Sequence, residues 1–216
     1  MRKVLFAIAI FATLYVTQYA SAERDWEYWS QESFFFPVNK RLSFLMLPEW
    51  RFKEDMHNVY LFKLENGLAF KINEFLEVAP YYVYQEKKSG AIWDRADLVY
   101  FDTSLKLELK NLWGIKLSNR VRYQYDFDKD KTTFRNAAKV SRSFNVGKLK
   151  ISPYFSEEPF YDAKLERITE HRTAAGFSFE LTKNVSFGLG YMLNSKKGTS
   201  KWTYANVLVS NLGIKF

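Results

Sequence analysis

Three basic side chains share one face of a short alternating segment, and together they have the chemistry of an anion site. Lys116, Arg120 and Arg122 are separated by even numbers of residues, so a β-strand would present all three on one side. Charged side chains of this kind set ion preference inside a pore. Like charges side by side are destabilising unless carboxylates lie between them, and the expected counter-charges are Glu108 and Glu180. The segment predicts either an anion site or a strand whose three cations pair with carboxylates of the protein.

A second candidate for chemistry is His171, one of two histidines in the chain. His171 and Thr173 would share one strand face, as in a hydrolase with its site on the outer wall of a barrel. A nucleophile needs a base within hydrogen-bond reach and a third group that orients the base. Glu170 and Glu180 have the wrong parity for that role, and threonine is an unusual nucleophile. The sequence therefore predicts no catalytic residue.

Metal and cofactor sites are not expected from this sequence. Two distant histidines and no cysteine give no zinc-binding spacing. Asp126, Asp128 and Asp130 alternate in one segment, but the turn glycine of a calcium-binding loop is missing. We interpret these three aspartates as part of a solvated loop.

The elements that must position these side chains are β-strands. Counting back from Phe216, every second residue to Trp202 forms a mostly apolar face, and the residues between them are small or polar. The same two-residue period recurs through most of the sequence, in about eleven segments. Single-chain bacterial barrels have an even number of strands, so we expect ten to twelve. The weakest segments are 26–36 and 134–144.

The connections are expected to alternate in length. Short turns are predicted at 37–40, 71–74, 110–114, 145–148 and 182–184. Longer charged loops are predicted at 53–57, 85–95, 127–132, 156–170 and 194–201. Short turns on one side and long loops on the other are typical of outer-membrane barrels, with the long set outside the cell.

The first residues have the pattern of a secretory signal peptide. Arg2 and Lys3 precede an apolar run over 4–16, and Ala20-Ser21-Ala22 supplies a small-residue cleavage site. Cleavage after Ala22 would leave 23–216 as one domain, exported through the Sec pathway. The formal net charge of +8 then falls to +6, because Arg2 and Lys3 are removed.

Composition favours a barrel in the cell envelope. Aromatic residues make up 19% of the chain, and membrane barrels use them on the lipid face and in interfacial girdles. The cations are spread through alternating strands of an exported chain, which argues against nucleic acid as a partner. The lack of cysteine excludes a disulfide framework.

The predicted fold is an all-β, transmembrane antiparallel β-barrel. A soluble barrel of the lipocalin kind is the competing fold, since alternation alone does not say which face is inside. A lipocalin has an apolar interior and a polar surface. Here one face is crowded with long charged side chains and the other is almost purely apolar, and a soluble protein with so apolar an exterior would aggregate.

From residue 119 onward the sequence resembles an outer-membrane barrel family known as domain of unknown function 2490. The motifs that carry the resemblance are NRVRYQY (119–125), PYFSEEPFY (153–161), HRTAAGF (171–177), LTKNVSFGLGY (181–191) and the closing strand. The resemblance implies a barrel in the bacterial outer membrane, and it implies no catalytic residues. It also implies that the C-terminal Phe216 is the signal recognised by the barrel-assembly machinery.

The expected function is that of a small passive pore or a solute-binding barrel, with mild anion preference from Lys116, Arg120 and Arg122. The first alternative is a sealed structural or adhesion barrel, in which Arg, Lys and Glu side chains interlock across the lumen. The second alternative is a lipid-modifying hydrolase near His171. The expected partners are outer-membrane lipid and lipopolysaccharide, the assembly machinery and small anionic solutes.

Overall fold

The computed structural model describes residues 26–109 and 111–216, and these residues form strands joined by turns. The predicted signal peptide and its cleavage site after Ala22 lie outside the described residues. No helix in the described part is long and apolar enough to cross a membrane. The strands are β1 (Trp26–Pro37), β2 (Leu42–Lys53), β3 (Asn58–Lys71), β4 (Leu76–Ser89), β5 (Ile92–Leu109), β6 (Ile115–Asp126), β7 (Lys131–Arg142), β8 (Phe144–Val146), β9 (Leu149–Asp162), β10 (Arg167–Glu180), β11 (Val185–Lys197) and β12 (Trp202–Lys215).

The strands close into a barrel with eleven strands around its circumference. Consecutive strands pair antiparallel from β1 to β7, and β7 and the three-residue β8 both pair with β9. The meander continues from β9 to β12, and the ring closes where β12 pairs with β1. The predicted all-β barrel of ten to twelve strands is confirmed, and β1, one of the weakest segments in the sequence, is a full member of it.

The closing pair accounts for the odd number of strands. β1 and β12 run parallel, in a register from Trp26↔Asn206 to Phe35↔Lys215. An antiparallel ring needs an even number of strands, whereas one parallel pair allows an odd number. As a result, the two ends of the described chain lie at opposite mouths of the barrel.

We name the mouths by these ends. The C-terminal mouth holds Phe216, whose backbone N–H donates to the Phe35 carbonyl at 3.0 Å. It also holds the connections 38–41, 72–75, 111–114, 147–148 and 181–184. The N-terminal mouth holds Trp26 and the connections 54–57, 90–91, 127–130, 163–166 and 198–201.

The prediction of long loops at one mouth is wrong. Every connection at the N-terminal mouth has two to four residues, because the strands continue through most of the charged segments. In the predicted loop 85–95, for example, Glu86 lies opposite Arg95, and Lys87 lies opposite Asp94. Opposite charges on facing strand positions stabilise a hairpin, so charged residues extend β4 and β5 where a loop was expected.

The barrel has a polar interior and an apolar exterior. On β6, Arg122 is 2% exposed, whereas its neighbours Val121 and Tyr123 are 44% and 39% exposed. The same inversion holds on β2, β3 and β5, where Glu49, Glu65 and Asp102 are buried. This burial pattern is the reverse of that of a lipocalin, which has an apolar interior and a polar surface. Two sectors of the interior are packed by apolar side chains: one along β2–β5, with Leu45, Val83 and Leu98, and one along β1, β11 and β12, with Trp29, Met192 and Val207.

Glycines allow close contacts on the inner wall. Gly176 on β10 and Gly190 on β11 face each other, and the Tyr154 hydroxyl lies over both. A Cβ atom at Gly176 would lie 2.4 Å from the Leu189 carbonyl oxygen and 2.6 Å from the Gly190 Cα. Both distances are too short, and both involve backbone atoms that cannot rotate away.

Gly176→Ala is therefore expected to lower the free energy of unfolding by about 1–3 kcal/mol, because β10 and β11 must move apart. Gly188→Ala is the matched control, since a Cβ there would first meet Asn211 Cβ at an ordinary 3.6 Å. Urea unfolding followed by tryptophan fluorescence measures both. Equal stability of the two variants would show that the close contact at Gly176 is unimportant.

Candidate functional site

Buried acidic and basic side chains form a continuous network across the barrel interior, which we call the ion-pair belt. It draws on seven strands, and each member contacts the next. The eleven members are Glu49, Arg51, Lys63, Glu65, Asp102, Arg120, Arg122, Arg135, Glu158, Glu170 and Arg172. Burial of so many charges is tolerable only when each is paired, because an unpaired buried charge costs several kcal/mol.

The first part of the belt lies on β2 and β3. Arg51 pairs with Glu49 on its own strand. The Lys63 ammonium lies between two carboxylates, 2.8 Å from Glu49 and 2.6 Å from Glu65. The alternation of each strand places these four side chains on the same inner face, and the β2–β3 register sets Glu49 opposite Lys63.

Arg122 is the centre of the belt. Its Nε and Nη2 donate to the two carboxylate oxygens of Asp102 at 2.6 and 2.7 Å. Its Nη2 also lies 3.2 Å from Glu65, which joins the centre to the first part. The paired geometry with Asp102 is the fork arrangement that makes Arg–carboxylate contacts strong and directional.

The last part of the belt gathers around Glu158 on β9. Its Oε1 accepts from Arg120 at 2.7 Å and from Arg135 at 2.9 Å. Arg172 lies 3.8 Å from Glu158 and 2.7 Å from Glu170. Three guanidinium groups thus share one carboxylate, and Glu170 relieves part of the excess positive charge.

Aromatic rings fill the space beside the guanidinium groups. Arg51 and Arg172 lie 3.5 and 4.8 Å from the Trp29 ring centre, and Arg122 lies 4.3 Å from that of Tyr100. Such cation–π contacts are strongest where water is excluded. The Trp29 indole N–H donates to Glu27 at 2.7 Å, so β1 also contributes to the packed interior.

The structure brings two of the three predicted ladder residues together. Arg120 and Arg122 both belong to the belt, whereas Lys116 lies nearer the C-terminal mouth, opposite Glu108 in the β5–β6 register. Of the two expected counter-charges, Glu108 faces Lys116, and neither pairs with Arg120 or Arg122. Glu108 is six residues beyond Asp102, about 20 Å along β5, and Glu180 pairs with Lys150 at 2.7 Å. Glu65, Asp102 and Glu158 pair with the two arginines instead.

Sequence reasoning missed Glu158, Glu170 and Tyr60. The first two fell within the predicted loop 156–170, although Glu158 has the inward parity of Tyr154 and Ser156. Pro153, Pro159 and an outward Glu157 obscure that alternation. Tyr60 has the parity of the exposed Leu68 and Phe70, so alternation alone would place it on the outer face. An irregularity in the β2–β3 register leaves Tyr60 without a partner on β2, and its buried hydroxyl donates to Glu27 at 2.7 Å.

The remaining candidate residues are His171 and the aspartates of the segment 126–130. His171 has the outward parity and lies opposite Ser195 on β11. Within the described part of the chain its ring makes no hydrogen bond to a serine or threonine, so the hydrolase alternative gains no support.

Asp126 Oδ1 accepts from the backbone N–H groups of Asp128 and Lys129 at 3.1 Å and so caps the turn 127–130. No group of three or more potential metal ligands occurs among the described residues.

A cavity of about 340 Å³ opens above the belt, toward the N-terminal mouth. We call it the basic cup, because eight of its lining residues are Lys or Arg and only two are acidic. The lining residues are Arg51, Tyr60, Leu61, Lys63, Gln85, Lys87, Leu98, Tyr100, Gln124, Asp126, Lys129, Lys131, Thr133, Arg135, Phe160, Thr169, Glu170, Arg172 and Lys196.

Comparisons with known proteins identify the family. A comparison with curated proteins finds no match. The family model described as "Protein of unknown function (DUF2490)" matches residues 26–205, which includes the N-terminal half of the barrel as well as the part that carries the motifs. The match covers most of the chain, from β1 into β12, and the chain therefore belongs to the DUF2490 family.

Proposed function

We propose that this chain is an integral protein of the bacterial outer membrane whose lumen is closed by the ion-pair belt. It would act as a sealed or solute-binding barrel and not as an open pore. The observation that carries the proposal is the inverted burial pattern, in which a belt of ion-paired charges lies inside an apolar wall.

The exterior supports a membrane location. Large apolar side chains on many strands are 39–52% exposed, among them Phe70, Phe101, Leu105, Phe155 and Phe177. They form a continuous apolar wall, which in water would be an aggregation surface. A barrel satisfies its backbone hydrogen bonds internally, so this wall is suited to lipid. Outer-membrane lipid and lipopolysaccharide are the corresponding partners.

The belt supports a closed lumen. Its members span the interior from β2 to β10, and Glu65, Asp102 and Arg122 are each less than 5% exposed. An ion passing this level would have to separate buried carboxylate–guanidinium pairs, at a cost of several kcal/mol for each pair. The side chains of narrow barrels can fill the interior in this way.

The orientation follows from the family resemblance. Barrels of this kind have a periplasmic C-terminus that the assembly machinery recognises. Phe216 stacks on Phe36 with ring centres 4.6 Å apart at the C-terminal mouth. With this mouth in the periplasm, the N-terminal mouth and the basic cup face the outside of the cell.

Planar-bilayer recording of the full-length mature chain tests the closed lumen. We expect no unitary conductance steps at neutral pH, and a gel-mobility shift between heated and unheated samples shows that the inserted protein is folded. A well-characterised open porin in the same bilayer serves as the positive control. Regular steps with anion selectivity would contradict the closed lumen and favour a passive anion pore. Identical mobility of heated and unheated samples would count against a stable membrane barrel.

A further inference from the structure

We propose that the basic cup binds a small organic anion that carries phosphate groups. The inference builds on the proposed function, because the ion-pair belt forms the floor of the cup and closes it toward the C-terminal mouth. The ligand would enter from the N-terminal mouth and leave by the same route.

Six of the eight basic side chains of the cup already have carboxylate partners. Arg51, Lys63, Arg135 and Arg172 belong to the belt. Lys129 lies 3.5 Å from Asp126, and Lys131 lies 2.7 Å from Asp162. These six side chains shape the cup and contribute to its positive potential, but each is already paired with a carboxylate of the protein.

Lys87 and Lys196 are different, because among the described residues neither ammonium group lies within ion-pair distance of a carboxylate. Each has only a facing carboxylate on the neighbouring strand, Asp94 for Lys87 and Glu170 for Lys196. Lys87 is on β4 and Lys196 is on β11, and five strand-to-strand steps separate them in a ring of eleven. They therefore lie on opposite walls of the same cavity. A ligand with two anionic groups would contact both ammonium groups at once.

The remaining lining fits an organic body between those two charges. Tyr60, Tyr100 and Phe160 supply aromatic surface, and Gln85 and Gln124 supply amide groups for orientation. The volume of about 340 Å³ is at the lower end of the range for small-molecule sites. It accommodates a metabolite-sized molecule and excludes a polymer.

The charge pattern favours phosphate over a single carboxylate. A phosphate group carries up to two negative charges and three acceptor oxygens, and lysine binds it as a point charge. Two unpaired lysines above a belt with more cations than carboxylates match such a group better than a monoanion. Two sources of phosphate share this chemistry, a soluble metabolite and a lipid headgroup at the mouth.

Isothermal titration of the folded, detergent-solubilised chain with inorganic pyrophosphate tests the proposal. We expect saturable binding with one site per chain. The double variant Lys87→Gln/Lys196→Gln is expected to weaken binding at least tenfold, because it removes both unpaired ammonium groups. The control Lys183→Gln/Lys215→Gln removes two lysines at the C-terminal mouth and is expected to change the affinity less than twofold. Heat-dependent gel mobility confirms that both variants are folded.

Absence of saturable binding to the wild type would overturn the proposal, as would equal weakening in the two double variants. Competition identifies the source: displacement by glucose 1,6-bisphosphate indicates a soluble ligand, and displacement by dihexanoyl phosphatidate indicates a lipid headgroup. The outcome is separable from that of the bilayer test. Conductance together with saturable binding would refute the closed lumen and keep the cup. A silent barrel that does not bind pyrophosphate would refute the cup alone.

Discussion

Replacing Arg122 by Met is expected to lower the free energy of unfolding by about 3–5 kcal/mol, the cost of breaking a buried ion pair from one side. Met keeps much of the side-chain volume but removes the guanidinium group. Asp102 then loses both of its short contacts, and Glu65 keeps only Lys63. Urea unfolding in lipid vesicles, followed by tryptophan fluorescence, measures the change.

The control separates charge from packing. In the triple variant Arg122→Met/Asp102→Asn/Glu65→Gln, the two carboxylates that contacted Arg122 become neutral amides of nearly the same shape. We expect at least half of the lost stability to return, because the remaining cost is hydrogen bonding and not uncompensated charge. A loss below about 1 kcal/mol for Arg122→Met, or no recovery in the triple variant, would show that the belt does not stabilise the barrel.

Replacing Leu189 by Arg is expected to cost about 2–4 kcal/mol in the free energy of unfolding. This is the penalty that the proposed membrane location predicts for a cation on the outer wall near the bilayer midplane. Leu189 is 42% exposed in the middle of β11, between Phe177 and Ser210 on the neighbouring strands. In a water-soluble protein so exposed a position would tolerate Arg with a change within about 0.5 kcal/mol. The size of the effect thus reports on the surroundings of the outer wall.

Val185→Arg is the matched control for depth. Val185 is on the same strand and the same face, four residues nearer the C-terminal mouth. There a cation reaches the interface, and the expected cost is only about 0–1 kcal/mol. Refolding into vesicles and unfolding in urea compare the two variants. Equal, small effects would argue that the outer wall does not contact lipid.

The direction of a side chain is predictable from sequence wherever the two-residue period of its strand is unbroken, and Tyr60, at the β2–β3 irregularity, is an exception. Arg120 and Arg122 were placed on the inner face for this reason, and the structure has them there. Their partners were not predictable in the same way. The contact between Arg122 and Glu65 joins β6 to β3, and it depends on strand order, register and barrel closure. The two-residue period of a single segment contains no information on strand order, register or barrel closure.

The misjudged loops have a related cause. Charge was interpreted as solvent exposure, and so Glu158 and Glu170 were assigned to a loop. In a barrel with a polar interior, however, charged residues line the lumen as well as the loops. Glu158 sits on β9, with Arg120, Arg135 and Arg172 around it. A charged residue there continues the strand because its counter-charges come from other strands.

The parallel pairing of β1 with β12 has a consequence for how the barrel is assembled. β2 begins and β12 ends at the C-terminal mouth, and the two strands run in opposite directions. Without β1, the ten long strands β2–β7 and β9–β12 form an even-numbered antiparallel meander. Its two edge strands, β2 and β12, run antiparallel to each other, as a fully antiparallel closed barrel requires. β1 enlarges that ring by one interstrand spacing, about 4.8 Å of circumference. β1 is thus inserted between β12 and β2, two strands whose directions would allow them to pair with each other.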